Sequence, residues 1–175
     1  GRGPYSLQAP AAVLDAGISG STIRMLSGLL AAQPFMARIT GDESLARRPM
    51  DRIMQPLEAM GASIQARDGR YPPLEIRGGK LRPIDYALPV ASAQVKTCVL
   101  FAGLYAEGTT TVREPVRTRD HTELALPQFG AEVQVRERVI SVRGPACLQA
   151  GELEVPGDLS TAAFFLVAAL LVPGS

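Results

Sequence analysis

Self-similarity constrains this chain more than any other property, because a pattern repeated at a fixed period means one supersecondary unit copied along the sequence. Three stretches open alike: AGISGSTIRMLSGLLAAQPF from Ala16, ASAQVKTCVLFAGLYAEGT from Ala91 and GDLSTAAFFLVAALLVPGS from Gly157. Each sets small and hydroxyl residues before an apolar run and closes on Pro or Gly. The first two continue in parallel through a short strand, an arginine-bearing loop and a second helix ending Met-Gly-Ala or Phe-Gly-Ala. Two strands follow, ending Ile-Arg-Gly or Val-Arg-Gly, so that Gly61 matches Gly130 and Gly78 matches Gly144. The third copy stops after its first helix, and the opening GRGPYSLQAP reads like the close of a preceding unit. The chain is therefore expected to be cut at both ends, with residues 1–155 built from repeated units. Residues 156–175 are expected to begin a further, truncated unit.

Local patterns support that plan. Met50, Ile53, Met54, Leu57 and Met60 recur at helical spacing behind Pro49, and Gly61 supplies a stop, which predicts a helix over 49–60 with one buried face. Val133 and Val135, then Ile140 and Val142, alternate as strands do and leave room only for a tight antiparallel hairpin. A unit of helix, strand, helix and hairpin gives a mixed sheet covered by helices, an α+β architecture. Pro127 falls within the second helix of the second unit, where its missing N–H should kink or shorten it.

With 18 Lys and Arg against 17 Asp and Glu, the chain has no broad field to steer nucleic acid or an anionic surface. Any anion must be held by locally placed groups. Cys98 and Cys147 stand far apart and the chain has one His, so neither a disulfide framework nor a zinc site is supported, and a cytoplasmic setting is expected. The longest apolar stretch, Ala162 to Val172, is shorter than the roughly 20 residues of a membrane span.

Such groups stand at the helix openings, where first-turn N–H groups carry a partial positive charge that suits phosphates and carboxylates. The three openings are Gly20-Ser21, Ser92-Ala93 and Ser160-Thr161. Taken singly, each reads as ordinary capping. As a set they read differently: Gly20 lets a ligand approach the backbone, Arg24 follows within a turn, and Gln94 and Lys96 follow Ser92. The loops Arg47-Arg48-Pro49 and Arg117-Thr118-Arg119-Asp120 add guanidinium forks suited to carboxylate or phosphate at matching places in two units. Asp120 and Glu123 form a capping-box pattern, which makes Asp120 structural and His121 incidental.

GDESLARRPM from Gly41, SAQVK from Ser92, RTRDHTE from Arg117 and VPGDLSTAAFFLVAALLVPGS from Val155 together resemble the 5-enolpyruvylshikimate-3-phosphate synthase family of enolpyruvyl transferases. The motifs most resemble those of bacterial forms whose substrate loop reads Ser-Ala-Gln, and the likeness spans essentially the whole chain. It implies an inside-out α/β barrel of two domains, helices inside and sheets outside, with residues 1–155 as the substrate-binding domain and residues 156–175 leading to the missing second domain. It also implies transfer of the enolpyruvyl group of phosphoenolpyruvate to the 5-hydroxyl of shikimate 3-phosphate, in aromatic amino acid biosynthesis, with no metal or organic cofactor. By the same resemblance Ser92, Ala93, Gln94 and Arg119 bind shikimate 3-phosphate, while Gly20, Arg48 and Gln94 bind phosphoenolpyruvate. Ser21 and Arg24 support the pocket without touching the ligand, and Ser21 and Met25 border the place where glyphosate binds.

Ile18-Ser19-Gly20-Ser21 departs from the family's Asn-Ala-Gly-Thr or Asn-Ser-Gly-Thr. The family's Lys-Ser pair, its aspartate base and the cations of its second domain find no match, so no catalytic residue is assigned and the chain alone is expected to be inactive. The partners expected are anionic small molecules, with the complementary half of the enzyme as a further candidate, and neither nucleic acid nor membrane. Two alternatives compete. One is the UDP-N-acetylglucosamine enolpyruvyl transferase family, which commonly carries a reactive cysteine before its Arg-Pro, where residues 39–49 have none. The other is a non-catalytic phosphate-binding or assembly module.

Overall fold

The computed structural model describes residues 6–155 and 157–172. The GRGPY part of the opening segment, Pro156 at the expected domain boundary and the closing Pro173-Gly174-Ser175 lie outside the described residues. The first unit runs β1 (Leu14–Asp15), α1 (Gly20–Leu30), β2 (Met36–Thr40), α2 (Glu43–Ala46), α3 (Asp51–Met60), β3 (Ser63–Arg67) and β4 (Tyr71–Arg77). The second runs β5 (Asp85–Ala87), α4 (Ala93–Gly103), β6 (Gly108–Arg113), α5 (His121–Gln128), β7 (Val133–Arg136) and β8 (Val139–Gly144), and α6 (Leu159–Leu171) follows.

The two sheets share one topology, β1-β2-β4-β3 and β5-β6-β8-β7, with the first pair parallel and the rest antiparallel. Each unit therefore opens with a short strand that the expected helix-strand-helix-hairpin plan lacks. Strands of two or three residues carry too little alternation to be read from sequence. They exist because β2 and β6 offer a parallel edge for them, closing a strand-helix-strand crossover around α1 and α4.

Glycines account for the shared shape. Gly61 and Gly130 take φ of +111° and +85°, and the next amides, of Ala62 and Ala131, donate back to Leu57 and Leu126 across the helix ends. Gly78 and Gly144 end their hairpins against the carbonyl end of the first helix of the same unit. A Cβ at Gly78 would lie 2.5 Å from the carbonyl oxygens of Leu30 and Gln33, and one at Gly144 2.4 Å from those of Gly103 and Ala106. Only glycine lets the strand pass there.

The helix expected over 49–60 begins at Asp51, because the Met50 amide bonds to the Arg70 carbonyl at 2.7 Å instead of joining the helix. Its predicted face, Ile53, Met54, Leu57 and Met60, is buried. In the second hairpin Val133 faces Val142 and Val135 faces Ile140, as expected, but β7 is an edge and Val135 is 49% exposed. Pro127 lies one residue before the end of α5, which has eight residues against ten in α3.

The core lies between the sheets. Buried Ile23 and Leu30 of α1 and Ile39, Leu57 and Ile76 of the first unit join Val95, Val99, Leu100, Ile140 and Val142 of the second. α4 is buried around most of its circumference, as a central helix must be. The α1–α4 approach is set at Gly28, where a Cβ would fall 2.2 Å from the Cys98 carbonyl oxygen. α6, apolar all round, buries none of its residues; Phe164 is 80% and Leu170 86% exposed.

Candidate substrate site at the openings of α1 and α4

Both central helices begin on a serine cap. Ser19 Oγ accepts from the Thr22 amide at 3.1 Å and Ser92 Oγ from the Val95 amide at 3.3 Å. Each cap satisfies one first-turn donor and leaves the two before it, Gly20 and Ser21 in α1 and Ala93 and Gln94 in α4, without a partner inside the helix. The close α1–α4 packing brings these two openings together.

Gln94 joins them. Its Oε1 accepts from Arg24 Nη1 at 2.8 Å and its Nε2 donates to Ser21 Oγ at 2.8 Å, contacts spanning 70 and 73 residues of sequence. Arg24 also reaches the Pro49 carbonyl at 3.4 Å, which ties in the loop carrying Arg48. A Cβ at Gly20 would stand 2.8 Å from Arg24 Nη1 and 3.4 Å from Arg48 Nη1, so both guanidiniums border the bare backbone of Gly20. Arg48 is steadied by Ser44 Oγ at 3.2 Å. Its neighbour Arg47 turns to Glu43 at 3.3 Å as an exposed surface pair, worth little in stability.

Electrostatics mark the cluster as unfilled by any internal anion. Burial, and then the charges of Arg48 and Arg52, hold the Arg24 guanidinium below its ordinary range. An arginine stays protonated regardless, so the repulsion describes a site that gains from an anion. Arg52, on the exposed side of α3, is a contributor that the sequence reading missed; its place one helical turn beyond Arg48-Pro49 was the available signal. The groups that converge, from Gly20, Ser21, Arg24, Arg48 and Gln94, include no carboxylate and no imidazole.

Other expected members lie outside these contacts. Lys96 does not face the opening of α4. Its side chain is 1% exposed, and Nζ contacts Glu123 Oε1 at 2.5 Å and Glu114 Oε1 at 3.1 Å. Glu123 is thereby taken from the capping box: Asp120 makes no side-chain cap bond, and the buried ammonium claims the carboxylate instead. Arg117 and Arg119 are exposed on the loop before α5. The third opening is capped by Asp158, which accepts from the Ser160 amide at 2.9 Å and from Thr161 Oγ1 at 2.7 Å. A carboxylate therefore stands where the sequence suggested an anion site, and α6 is not packed beside α1 and α4. Ile18, in place of the family's asparagine, is 75% exposed. Met25 turns to an apolar groove with Leu29 and Phe101. Cys98 is fully buried and its thiol is pushed up to about 12 by burial, which makes it inert.

Among the described residues no helix is long and apolar enough to cross a membrane. The family model for EPSP synthase (3-phosphoshikimate 1-carboxyvinyltransferase) matches residues 1–175. A 3-phosphoshikimate 1-carboxyvinyltransferase of Solibacter usitatus is 67% identical over the whole chain, and that of Geobacillus kaustophilus is 57% identical. In both cases the chain spans 41% of the relative's length. A solved EPSP synthase from Acinetobacter baumannii superposes with a TM-score of 0.89 at 50% identity, covering 95% of this chain and 38% of that one.

Proposed function

The chain belongs to the EPSP synthase family, and from that membership we propose that it forms the substrate-holding part of an enolpyruvyl transferase. The reaction moves the enolpyruvyl group of phosphoenolpyruvate to the 5-hydroxyl of shikimate 3-phosphate and releases inorganic phosphate. The observation that carries this reading is the Gln94 bridge, which joins the open amides of α1 and α4 beside two guanidiniums with no internal counter-ion.

Each substrate has a matching set of groups. Phosphoenolpyruvate carries a carboxylate and a phosphate, and Arg48 with the bare backbone of Gly20 supplies a fork and open amides for one of them. Ser92, the Ala93 amide and Gln94 address shikimate 3-phosphate, with Arg119 as the cation for its phosphate. Ser21 and Arg24 hold Gln94 by both ends of its amide, fixing which end faces the substrates. Charge that develops on the transferring group is met by donors already in place, the arrangement that contributes most in such reactions. Deprotonating the 5-hydroxyl needs a base within hydrogen-bond reach, and the converging groups offer none. That lack favours a second reading for the chain by itself: it binds substrates and does not turn them over. A complementary half of the enzyme supplies the base and further cations, in a soluble cytoplasmic protein.

Titration calorimetry with shikimate 3-phosphate tests the site. Saturable binding is expected, weakened by about tenfold in Gln94→Ala, the factor that one or two lost hydrogen bonds produce. Binding indifferent to that change would point to a generic anion site and overturn the assignment. Phosphate release by the chain from both substrates at an enzyme-like rate would overturn the reading that it binds without turnover.

A further inference from the structure

Lys96 is buried at a position where the repeated unit itself shows that no charge is needed. It lies four residues beyond the Ser92 cap of α4; the residue four beyond the Ser19 cap of α1 is Ile23, and four beyond the Asp158 cap of α6 is Ala162. A buried ammonium gives no stability advantage over an apolar side chain of similar size. Its carboxylate partners suggest another role. Glu114 directly follows β6 and Glu123 lies in the first turn of α5, so the two bracket residues 115–120, the loop that carries Arg117 and Arg119. Thr118, between those arginines, donates its hydroxyl to the same Glu114 Oε1. A further contact, Thr97 Oγ1 to Thr122 Oγ1 at 2.6 Å, joins α4 to the far end of the loop.

The first unit holds its arginine loop differently. There α2, capped by Asp42 through the Leu45 amide at 2.8 Å, leads directly into Arg47 and Arg48. The second unit has no helix between β6 and α5. We propose that the Lys96–Glu114–Glu123 cluster replaces that helix, and that Lys96 is a positioning residue setting the Arg117–Arg119 loop at a defined place relative to Gln94, two residues earlier on α4. The role of Arg119 toward shikimate 3-phosphate rests on the function proposed above; the tethering of the loop does not.

The variant K96M/E114Q/E123Q removes all three charges while keeping volume, and can be compared with the unaltered chain by nitrogen-15 relaxation and calorimetry. Order parameters at Arg117–Arg119 are expected to drop from about 0.85 to below about 0.6, with those of α4 unchanged. Affinity for shikimate 3-phosphate is expected to fall by about tenfold, and Arg119→Ala should weaken binding less in this background than in the unaltered chain. Order parameters that stay high would overturn the proposal, as would an Arg119→Ala effect of equal size in both backgrounds. If the triple variant does not fold, Thr118→Val, which leaves the buried charges paired, must loosen the same loop or the proposal fails. An unaltered chain that does not bind shikimate 3-phosphate, alongside a loosened loop in the variant, would refute the substrate assignment and leave the tether supported.

Discussion

Replacing Gly28 by alanine is expected to destabilise the chain by about 3 kcal/mol or more, beyond the usual effect of a core methyl group. The added Cβ would lie 2.2 Å from the Cys98 carbonyl oxygen, 3.0 Å from its carbonyl carbon and 3.2 Å from its Cα. These are backbone atoms of a buried helix, so no rotamer change relieves the clash and α1 must move off α4. That movement separates the two openings and breaks the Gln94 contacts with Arg24 and Ser21, so shikimate 3-phosphate binding should be lost along with stability. Gly79→Ala is the control, since nothing lies within 4 Å of a Cβ there, and its effect should stay within about 0.5 kcal/mol. Urea unfolding of both variants checks this; equal midpoints would mean that the helices do not meet at Gly28.

Lys96→Met alone is expected to be comparably damaging, at about 3–5 kcal/mol. The change keeps the side chain's length but leaves the Glu114 and Glu123 carboxylates buried at 2% and 5% exposure without their ammonium. Removing one member of a buried ionic group costs far more than removing the whole group, because the remaining charges keep their desolvation penalty. Adding Glu114→Gln and Glu123→Gln should therefore recover most of the loss. Guanidinium unfolding of the single and triple variants decides the matter. A single variant as stable as the unaltered chain would show that the cluster is not closed to water.

The repeat was legible because it is written in local chemistry. Glycines at 61 and 130 stop helices through left-handed backbone, and valines and isoleucines two apart pair across the second hairpin. Spacing also marked Gly20, Arg24, Arg48 and Gln94 as companions, since each lies within a turn of a helix opening or in the matching arginine loop. Lys96 was misread for the same reason. Two residues past Gln94 it belongs locally to the opening of α4, yet a helix turns about 200° in two residues, and the side chain emerges on the core side. Asp120 and Glu123 carry a capping pattern that is valid locally and overruled by a cation from another helix.

From the sequence alone came what near neighbours along the chain dictate: the repeated unit, its glycine stops, its hairpins, its α+β class and the family whose motifs it carries. Tertiary structure alone decided which charges meet. It formed the short parallel strands β1 and β5, turned Lys96 inward to two glutamates, and brought Gln94 to Arg24 and Ser21 across 70 and 73 residues. The physical reason is range. Capping, helical period and strand alternation act within a few residues, whereas an ion pair or an amide bridge between helices depends on how closely two backbones approach, and here Gly28 against Cys98 sets that distance.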